Sequence, residues 1–393
     1  MSSMFSDRIA DVPRSFIREI LKVAIDPSVI SFAGGLPNRE LFPVAEVQAA
    51  TNKVFESSGK DALQYANSEG YAPLRAYISD RYRKKRNLQV PVANILITSG
   101  SQQGLDLLGK IFLNEGDGVA IEEPGYLGAI QAFSLYQAAF HPIPLSEKGI
   151  DLESLHRVMT LEAPKLLYTV PNFQNPSGIT WPEENRQAAA DIIKDIDTLL
   201  IEDDPYGELR FEGSHRSSFY SMLPEKTILL GSFSKIIAPG LRLGWIAAPD
   251  QIMDKLIVAK QASDLHSNHL AQRIIYQYLE DNDLEKHIER IATVYNRQRL
   301  AMFSSIKEYL PPEVTHTTPE GGMFLWLTLP KGISSMRLFD RAIAANVAFV
   351  PGNPFYVNGR DTETLRLNFS CVEEATIAEG IRRLGKSVKV LIG

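Results

Sequence analysis

The sequence predicts an α/β protein, with a mainly parallel sheet sandwiched between helices and a smaller α+β lobe at the C-terminal end. Three observations carry this. Short, uninterrupted apolar runs alternate with helix-patterned stretches through the middle of the chain, as expected for strands buried on both faces and joined by crossover helices. After Ile252 the texture changes to long helical segments and, beyond Pro312, to a second group of strands. The chain has 393 residues, more than the roughly 250–300 at which a single core stops growing.

The elements follow in order. Pro43 to Phe55 and Pro73 to Asn87 each open on a proline, which a helix tolerates in its first turn, and continue with helical periodicity. Ile95 to Thr98 reads as a strand ended by Ser99-Gly100-Ser101, and Gln102 to Leu113 as the helix after it. Further strands are expected at Val119 to Ile121, Leu166 to Thr169, Leu199 to Ile201, Ile228 to Leu230 and Trp245 to Ala248. Helices lie between most of them, such as Pro182 to Ile196. Polar residues near Asp281 to Asp283 break the long helices that follow. The tail supplies strands at Met323 to Leu329, Val347 to Val350 and Thr364 to Phe369, and a closing helix over Glu373 to Lys386.

Composition narrows the classes. Hydrophobic residues make up 44% and charged residues 22%, which excludes a disordered or fibrous chain. Lys+Arg is 41 against 47 Asp+Glu, a net charge of −6, so there is no basic field for a nucleic-acid backbone. A single cysteine, Cys371, excludes an intrachain disulfide framework and a multi-cysteine metal cluster. His266 and His269 are three apart but lack a third ligand, and no metal site is expected. Met1 to Arg18 holds no apolar segment of signal-peptide length. The most apolar window, Ala342 to Val350, is interrupted by Asn346 and is far short of the roughly 20 residues of a spanning helix. A cytoplasmic protein without membrane contact is the expectation.

Four clusters carry chemistry. The first runs from Gly231 to Trp245. Lys235 follows an apolar strand, and burial there would favour its neutral amine, which can attack an aldehyde and form a Schiff base. Arg242 and the hydroxyls of Ser232 and Ser234 can bind an anion beside it. The second is Glu202-Asp203-Asp204-Pro205-Tyr206, where a carboxylate at the C-terminal end of a buried strand can hold a proton on a heteroaromatic nitrogen. Asp before Pro also caps turns. The third, Thr98 to Gly104, joins a strand to a helix whose free N–H groups, with Ser and Gln side chains, make a phosphate cradle. It is not a P-loop, and no G-x-G-x-x-G occurs. The fourth, Val170 to Gly178, is a turn-rich loop in which Asn175 can donate to a ring oxygen.

In this chain order the clusters closely resemble fold-type I pyridoxal-phosphate enzymes, the aspartate aminotransferase superfamily. The resemblance is nearest to the branch of 2-aminoadipate and kynurenine aminotransferases and the aminotransferase-like domains of MocR-type regulators. It rests also on Ser31 to Asn38, Leu63-Gln64-Tyr65, Ser99 to Gly104, Glu122 to Tyr126, Gly321 to Phe324 and Pro351 to Phe355, and spans nearly the whole chain. Gln103 and Gly104 fit this branch rather than aspartate aminotransferases proper, so a dicarboxylate-only specificity is not implied.

The resemblance implies a role for each matching residue. Lys235 would bind pyridoxal 5′-phosphate as a Schiff base and shuttle a proton between the substrate α-carbon and cofactor C4′. Asp203 would pair with the protonated pyridine nitrogen. Asn175 and Tyr206 would bond the ring 3-oxygen, with Asn175 also facing the substrate, and Tyr126 would stack on the ring. Ser101, Gln102, Ser232, Ser234 and Arg242 would hold the phosphate. Arg366 would clamp the substrate α-carboxylate with a two-bond fork that lysine cannot reproduce, and Gly35 would bring backbone close to the substrate. Tyr65 would reach the phosphate of a neighbouring subunit, making the site complete only in a homodimer. Arg18 would meet a second carboxylate on substrates such as glutamate or 2-aminoadipate. The implied organisation is an N-terminal segment, 1–30, packed on the small domain, a large cofactor domain, 31–290, and a small domain, 291–393.

The expected activity is an aminotransferase moving an amino group from an L-amino acid, of 2-aminoadipate, aromatic or branched-chain type, to a 2-oxo acid such as 2-oxoglutarate. A lyase or synthase on the same fold is the enzymatic alternative. A ligand-sensing regulator is disfavoured, because the residues ahead of Gly34-Gly35 are too few for a winged helix and the net charge is acidic.

Overall fold

A computed structural model describes residues 4–10, 12 and 26–392, so Arg18 lies outside the described residues. In chain order the first part holds α1 (Asp7–Ala10), β1 (Ile30–Ser31), α2 (Val44–Ala62), α3 (Ala72–Arg86), β2 (Ile95–Thr98) and α4 (Ser101–Phe112). The middle follows with β3 (Gly118–Glu123), α5 (Leu127–Ser134), β4 (Ala139–Ser146), β5 (Gly149–Ile150), α6 (Leu152–Leu161), β6 (Leu166–Thr169), α7 (Glu183–Ile193) and β7 (Leu199–Asp203). Then come α8 (Phe219–Met222), β8 (Thr227–Ser232), β9 (Gly244–Ala247), α9 (Asp250–Ser263), α10 (His269–Asp281) and α11 (Leu284–Tyr309). The tail holds β10 (Thr315–His316), β11 (Phe324–Thr328), α12 (Ser335–Ala344), β12 (Val347–Ala348), β13 (Val350–Pro351), β14 (Thr364–Asn368) and α13 (Glu374–Ile392).

The eight-stranded main sheet has the order β2-β9-β8-β7-β6-β3-β4-β5. From β8 to β4 every pairing is parallel, whereas β9 lies antiparallel between β2 and β8, and β5 antiparallel to β4. The strands β2, β6 and β8 are buried at every position, which is why they read as unbroken apolar runs rather than alternating ones. Helix α4 packs across β8 and β9, and its Gly104 lets those strands approach: a Cβ there would sit 3.2 Å from Leu230.

A second sheet, β10-β11-β14-β13, is wholly antiparallel, and α11 and α13 pack against each other beside it. The strand expected over Val347 to Val350 is two strands. β12 pairs in parallel with β1, while β13 pairs with β14, so the chain changes partners at Phe349. Residue 290, the expected edge of the large domain, falls inside the continuous helix α11. β4 lies outside the strands that the apolar runs predict, because Pro142 and Pro144 interrupt its pattern. The two prolines are two residues apart, so their missing N–H groups face the same side, away from β3; the Pro144 carbonyl accepts from Asp151 on that side. Among the described residues no helix is long and apolar enough to cross a membrane.

Candidate active site

Open α/β sheets place ligands beyond the carboxyl ends of their parallel strands. Here those ends are Glu123 on β3, Thr169 on β6, Asp203 on β7 and Ser232 on β8. Between them and the second sheet lies a cleft of ≈ 420 Å³ whose walls include Lys235, Asp203, Tyr126, Asn175, Arg242 and Arg366. Residues from both sheets thus face one space.

Lys235 lies just past the end of β8. Its Nζ donates to the Gly35 carbonyl at 2.9 Å and lies 5.9 Å from the centre of the Tyr206 ring. Loss of water around the ammonium, with the cations Arg366 and Arg242 nearby, lowers its pKa to about 8 although Cys371 opposes the shift. Gly35 is therefore the residue that presents backbone to the lysine, and a Cβ there would stand 3.5 Å from Phe324.

Asp203 is 1% exposed. Tyr168, one strand away on β6, donates to its Oδ2 at 2.7 Å, and its Oδ1 is buried with no partner among the described residues. Burial is the main cause that pushes this carboxyl up to about 7; the Tyr168 bond acts against it, and the charges of Asp204 and Glu122 add to it. A buried, half-satisfied carboxyl is costly unless a cationic donor completes it.

Arg366, on β14, is 2% exposed. Its Nη1 donates to Asn175 Oδ1 at 2.8 Å and its Nη2 to the Ala33 carbonyl at 2.7 Å, while Nε has no partner among the described residues. The guanidinium lies over the Phe324 and Phe355 rings, at 4.5 and 5.3 Å. No carboxylate among the described residues pairs with it, and burial draws its pKa down to about 10. Asn175 connects this group to the other wall, since its Nδ2 points to Tyr206 Oη at 3.5 Å.

The loop before α4 turns at Gly100, with φ +79°, where a Cβ would lie 2.6 Å from Arg242 Nη2. Only glycine allows that approach. Arg242 itself has φ +52°, and its guanidinium makes long contacts to the Ser99 and Pro239 carbonyls, at 3.3 and 3.4 Å. Ser101, Ser232 and Ser234 line the same corner, and the Ser234 N–H donates to Ser232 Oγ at 3.0 Å. Gln102 lines it too, though its amide is engaged with the Gly128 carbonyl at 2.9 Å. Tyr126 lies across the cleft, stacked on Tyr168 at 6.4 Å between ring centres, and burial raises its phenol to about 12.

Thus one cleft brings together Gly35, Ser101, Gln102, Tyr126, Asn175, Asp203, Tyr206, Ser232, Ser234, Lys235, Arg242 and Arg366. Tyr65 is not among them: it is 80% exposed, with its ring edge against His266. Among the described residues no group of His, Cys, Asp and Glu could hold a metal ion.

Two residues have a part in the site to which the sequence motifs assign no role. Tyr168 sits inside an apolar strand run, and only the pairing of β6 with β7 brings it to Asp203. Glu122 is buried at the end of β3 and accepts from Thr169 Oγ1, the Val170 N–H, Gln174 Nε2 and Trp181 Nε1 at 2.7, 3.1, 3.2 and 2.8 Å. It ties down the loop that carries Asn175. An acidic residue closing an apolar strand was its sequence signal.

The site offers a lone carboxylate oxygen, an unpartnered guanidinium Nε, an amine of depressed pKa and an anion corner. That donor set fits the pyridine nitrogen, aldehyde and phosphate of pyridoxal phosphate and the carboxylate of an amino acid.

Known proteins share this architecture. The chain is 41% identical to the aromatic-amino-acid aminotransferase 1 of Thermococcus litoralis, over 98% of this chain and 94% of that one. A kynurenine aminotransferase of Pyrococcus horikoshii, solved in complex with PMP, superposes with a TM-score of 0.95 at 40% identity, covering 99% of this chain and 98% of that one. The α-aminoadipate aminotransferase of Thermus thermophilus, complexed with N-(5′-phosphopyridoxyl)-L-leucine, gives a TM-score of 0.92 at 42% identity, with the same coverage. The family model for aminotransferase class I and II matches residues 28–384. The chain belongs to this family and is a pyridoxal-phosphate-dependent transaminase.

Proposed function

We propose that the enzyme takes the amino group of an L-amino acid of 2-aminoadipate, aromatic or branched-chain type and passes it to a 2-oxo acid, with 2-oxoglutarate the first acceptor to try. The relatives named above support that range of donors. The observation that carries the reading is the convergence of Lys235, the open oxygen of Asp203 and the buried Arg366 on one cleft.

The residues divide the work. Asp203 holds the ring-nitrogen proton with Oδ1, steadied from the other side by Tyr168. Asn175 and Tyr206 hold the ring 3-oxygen, and Tyr126 covers one face of the ring. Ser101, Gln102, Ser232, Ser234 and Arg242 hold the phosphate, the serines and Gln102 by hydrogen bonds and Arg242 by charge. Lys235 would hold the cofactor aldehyde covalently, and its amine would move a proton between the substrate α-carbon and cofactor C4′. Arg366 binds the substrate α-carboxylate, oriented by Asn175 Oδ1 and the Ala33 carbonyl. Pyridoxal phosphate, when bound, supplies the electron sink that stabilises the carbanion at the α-carbon. Arg18 serves a second substrate carboxylate.

Tyr65, exposed on a single chain, reaches the phosphate held by a neighbouring subunit in a homodimer. The chain works in the cytoplasm, and segments 1–30, 31–290 and 291–393 act as N-terminal segment, cofactor domain and small domain.

The test is a panel of L-amino acids with 2-oxoglutarate, scored for glutamate against ammonia or pyruvate. Glutamate formation lost in Lys235→Ala supports the reading; ammonia or pyruvate without glutamate would point to a lyase. A Tyr65→Ala variant that binds cofactor as tightly as wild type, or a monomer of full activity in solution, would refute the shared site.

A further inference from the structure

Outside the cleft and behind the Ser99–Gln102 loop lies a lysine that the proposed chemistry does not use. Lys260, on α9, has no exposed side-chain surface. An ammonium is expensive to bury unless its protons find acceptors. Here Nζ donates to Oδ1 and Oδ2 of Asp264 at 2.6 and 2.8 Å, to Gln103 Oε1 at 2.9 Å and to Ser267 Oγ at 2.9 Å. Acceptors on every side suit the charged form.

The Gln103 amide is held at both ends. Its Oε1 accepts from Lys260 and also from the Ser99 N–H at 2.8 Å, while its Nε2 donates to Asp264 Oδ2 at 2.8 Å. The Ser99 carbonyl in turn accepts from Arg242 Nη2 at 3.3 Å, and Ser99 Oγ lies 3.3 Å from Ser267 Oγ. One chain of contacts therefore runs from Lys260 through Gln103 to the Ser99 backbone and on to Arg242. Ser99 immediately precedes Gly100, the residue whose positive φ turns the loop toward the anion corner.

We infer that Lys260, acting through Gln103 and Asp264, is a positioning residue that sets the Ser99–Gln102 loop and thereby the grip of the site on the cofactor phosphate. The inference rests on the placement of the phosphate at Ser101, Gln102, Ser232, Ser234 and Arg242 proposed above. A simple staple between α9 and α4 would affect any ligand of the cleft alike; a phosphate-loop role discriminates by the phosphate.

The experiment uses that difference. Holoenzyme is stripped of cofactor, and dissociation constants are measured by absorbance titration for pyridoxal 5′-phosphate and for pyridoxal, which lacks the phosphate. In Lys260→Met the apolar stem stays and the charge goes: pyridoxal phosphate should bind about tenfold more weakly, the scale of one charged hydrogen bond, with pyridoxal unchanged. Gln103→Leu should show the same selective loss, and it decides alone if Lys260→Met does not fold. Equal weakening of both ligands, or none, overturns the inference. Arg242→Ala is measured alongside. If it leaves the ratio of the two affinities unaltered, the phosphate placement itself is wrong. If it lowers the ratio while Lys260→Met and Gln103→Leu do not, only the role of Lys260 falls.

Discussion

Tyr168 and Asp203 share a buried 2.7 Å hydrogen bond that satisfies one carboxyl oxygen and leaves the other bare. One neutral donor does not offset the loss of water, so the carboxyl titrates near 7 rather than at its ordinary 3.8. With the folded pKa above the unfolded one, the folded state holds this proton more tightly, and the stability it contributes is present at low pH and lost as pH rises through about 7. The thermal unfolding midpoint of the cofactor-free protein should therefore fall relative to that of Asp203→Asn as pH climbs from the ordinary carboxylate range to above neutrality. Parallel curves for the two proteins would show an ordinary carboxylate.

Lys235 should react as a weak base. A pKa of about 8 leaves about a tenth of the amines neutral at pH 7, against about 0.03% for an ordinary lysine. The rate of covalent cofactor loading, followed by absorbance after mixing, should rise with pH and level off above about 8. A rate still climbing toward the ordinary lysine value of 10.5 would mean a solvated amine.

Arg366→Lys should raise the KM for the amino donor by roughly ten- to a hundredfold, because a single ammonium replaces a fork and also loses its contacts with Phe324 and Phe355. Steady-state kinetics with the best donor of the panel read this directly. An unchanged KM would put the substrate carboxylate elsewhere.

Glu122→Gln should destabilise the protein by about 1–3 kcal/mol. Four donors converge on two carboxylate oxygens, and an amide offers one oxygen and two protons, so a donor is left facing a donor. A lower unfolding midpoint should come with weaker cofactor binding, since Val170 and Gln174 frame the loop of Asn175. A midpoint equal to wild type would mean that Glu122 is already protonated and shares its proton with an acceptor.

What was legible in the sequence was local. Lys235, Asp203 and Arg366 each stand at the end or the middle of a short apolar run, where a charge is conspicuous, and the buried strands β2, β6, β7 and β8 read directly from the same runs. What was not legible depends on partners distant in the chain. Tyr168 meets Asp203 across 35 residues, and Lys260 meets Gln103 across 157. Neither neighbourhood carries a local pattern that separates a positioned polar group from an ordinary one. β4 was hidden by its prolines, and the split at Phe349 could not be seen because both halves are equally apolar and only their partners differ.

The antiparallel β9 has a mechanical consequence. Ser232 on β8 stands in register with Gly244 on β9, and the Phe233 N–H donates to the Leu243 carbonyl, so the connection bearing Lys235 and Arg242 is clasped at its base. The amine and the guanidinium ride on one tether whose two ends belong to adjacent strands. A shift of the second sheet would carry Arg366 with β14 and leave the spacing of the other two unaltered. In the proposed roles the covalent and phosphate anchors of the cofactor share that tether, whereas the arginine for the substrate belongs to the second sheet and is joined to the first through Asn175 alone among the cofactor-holding residues.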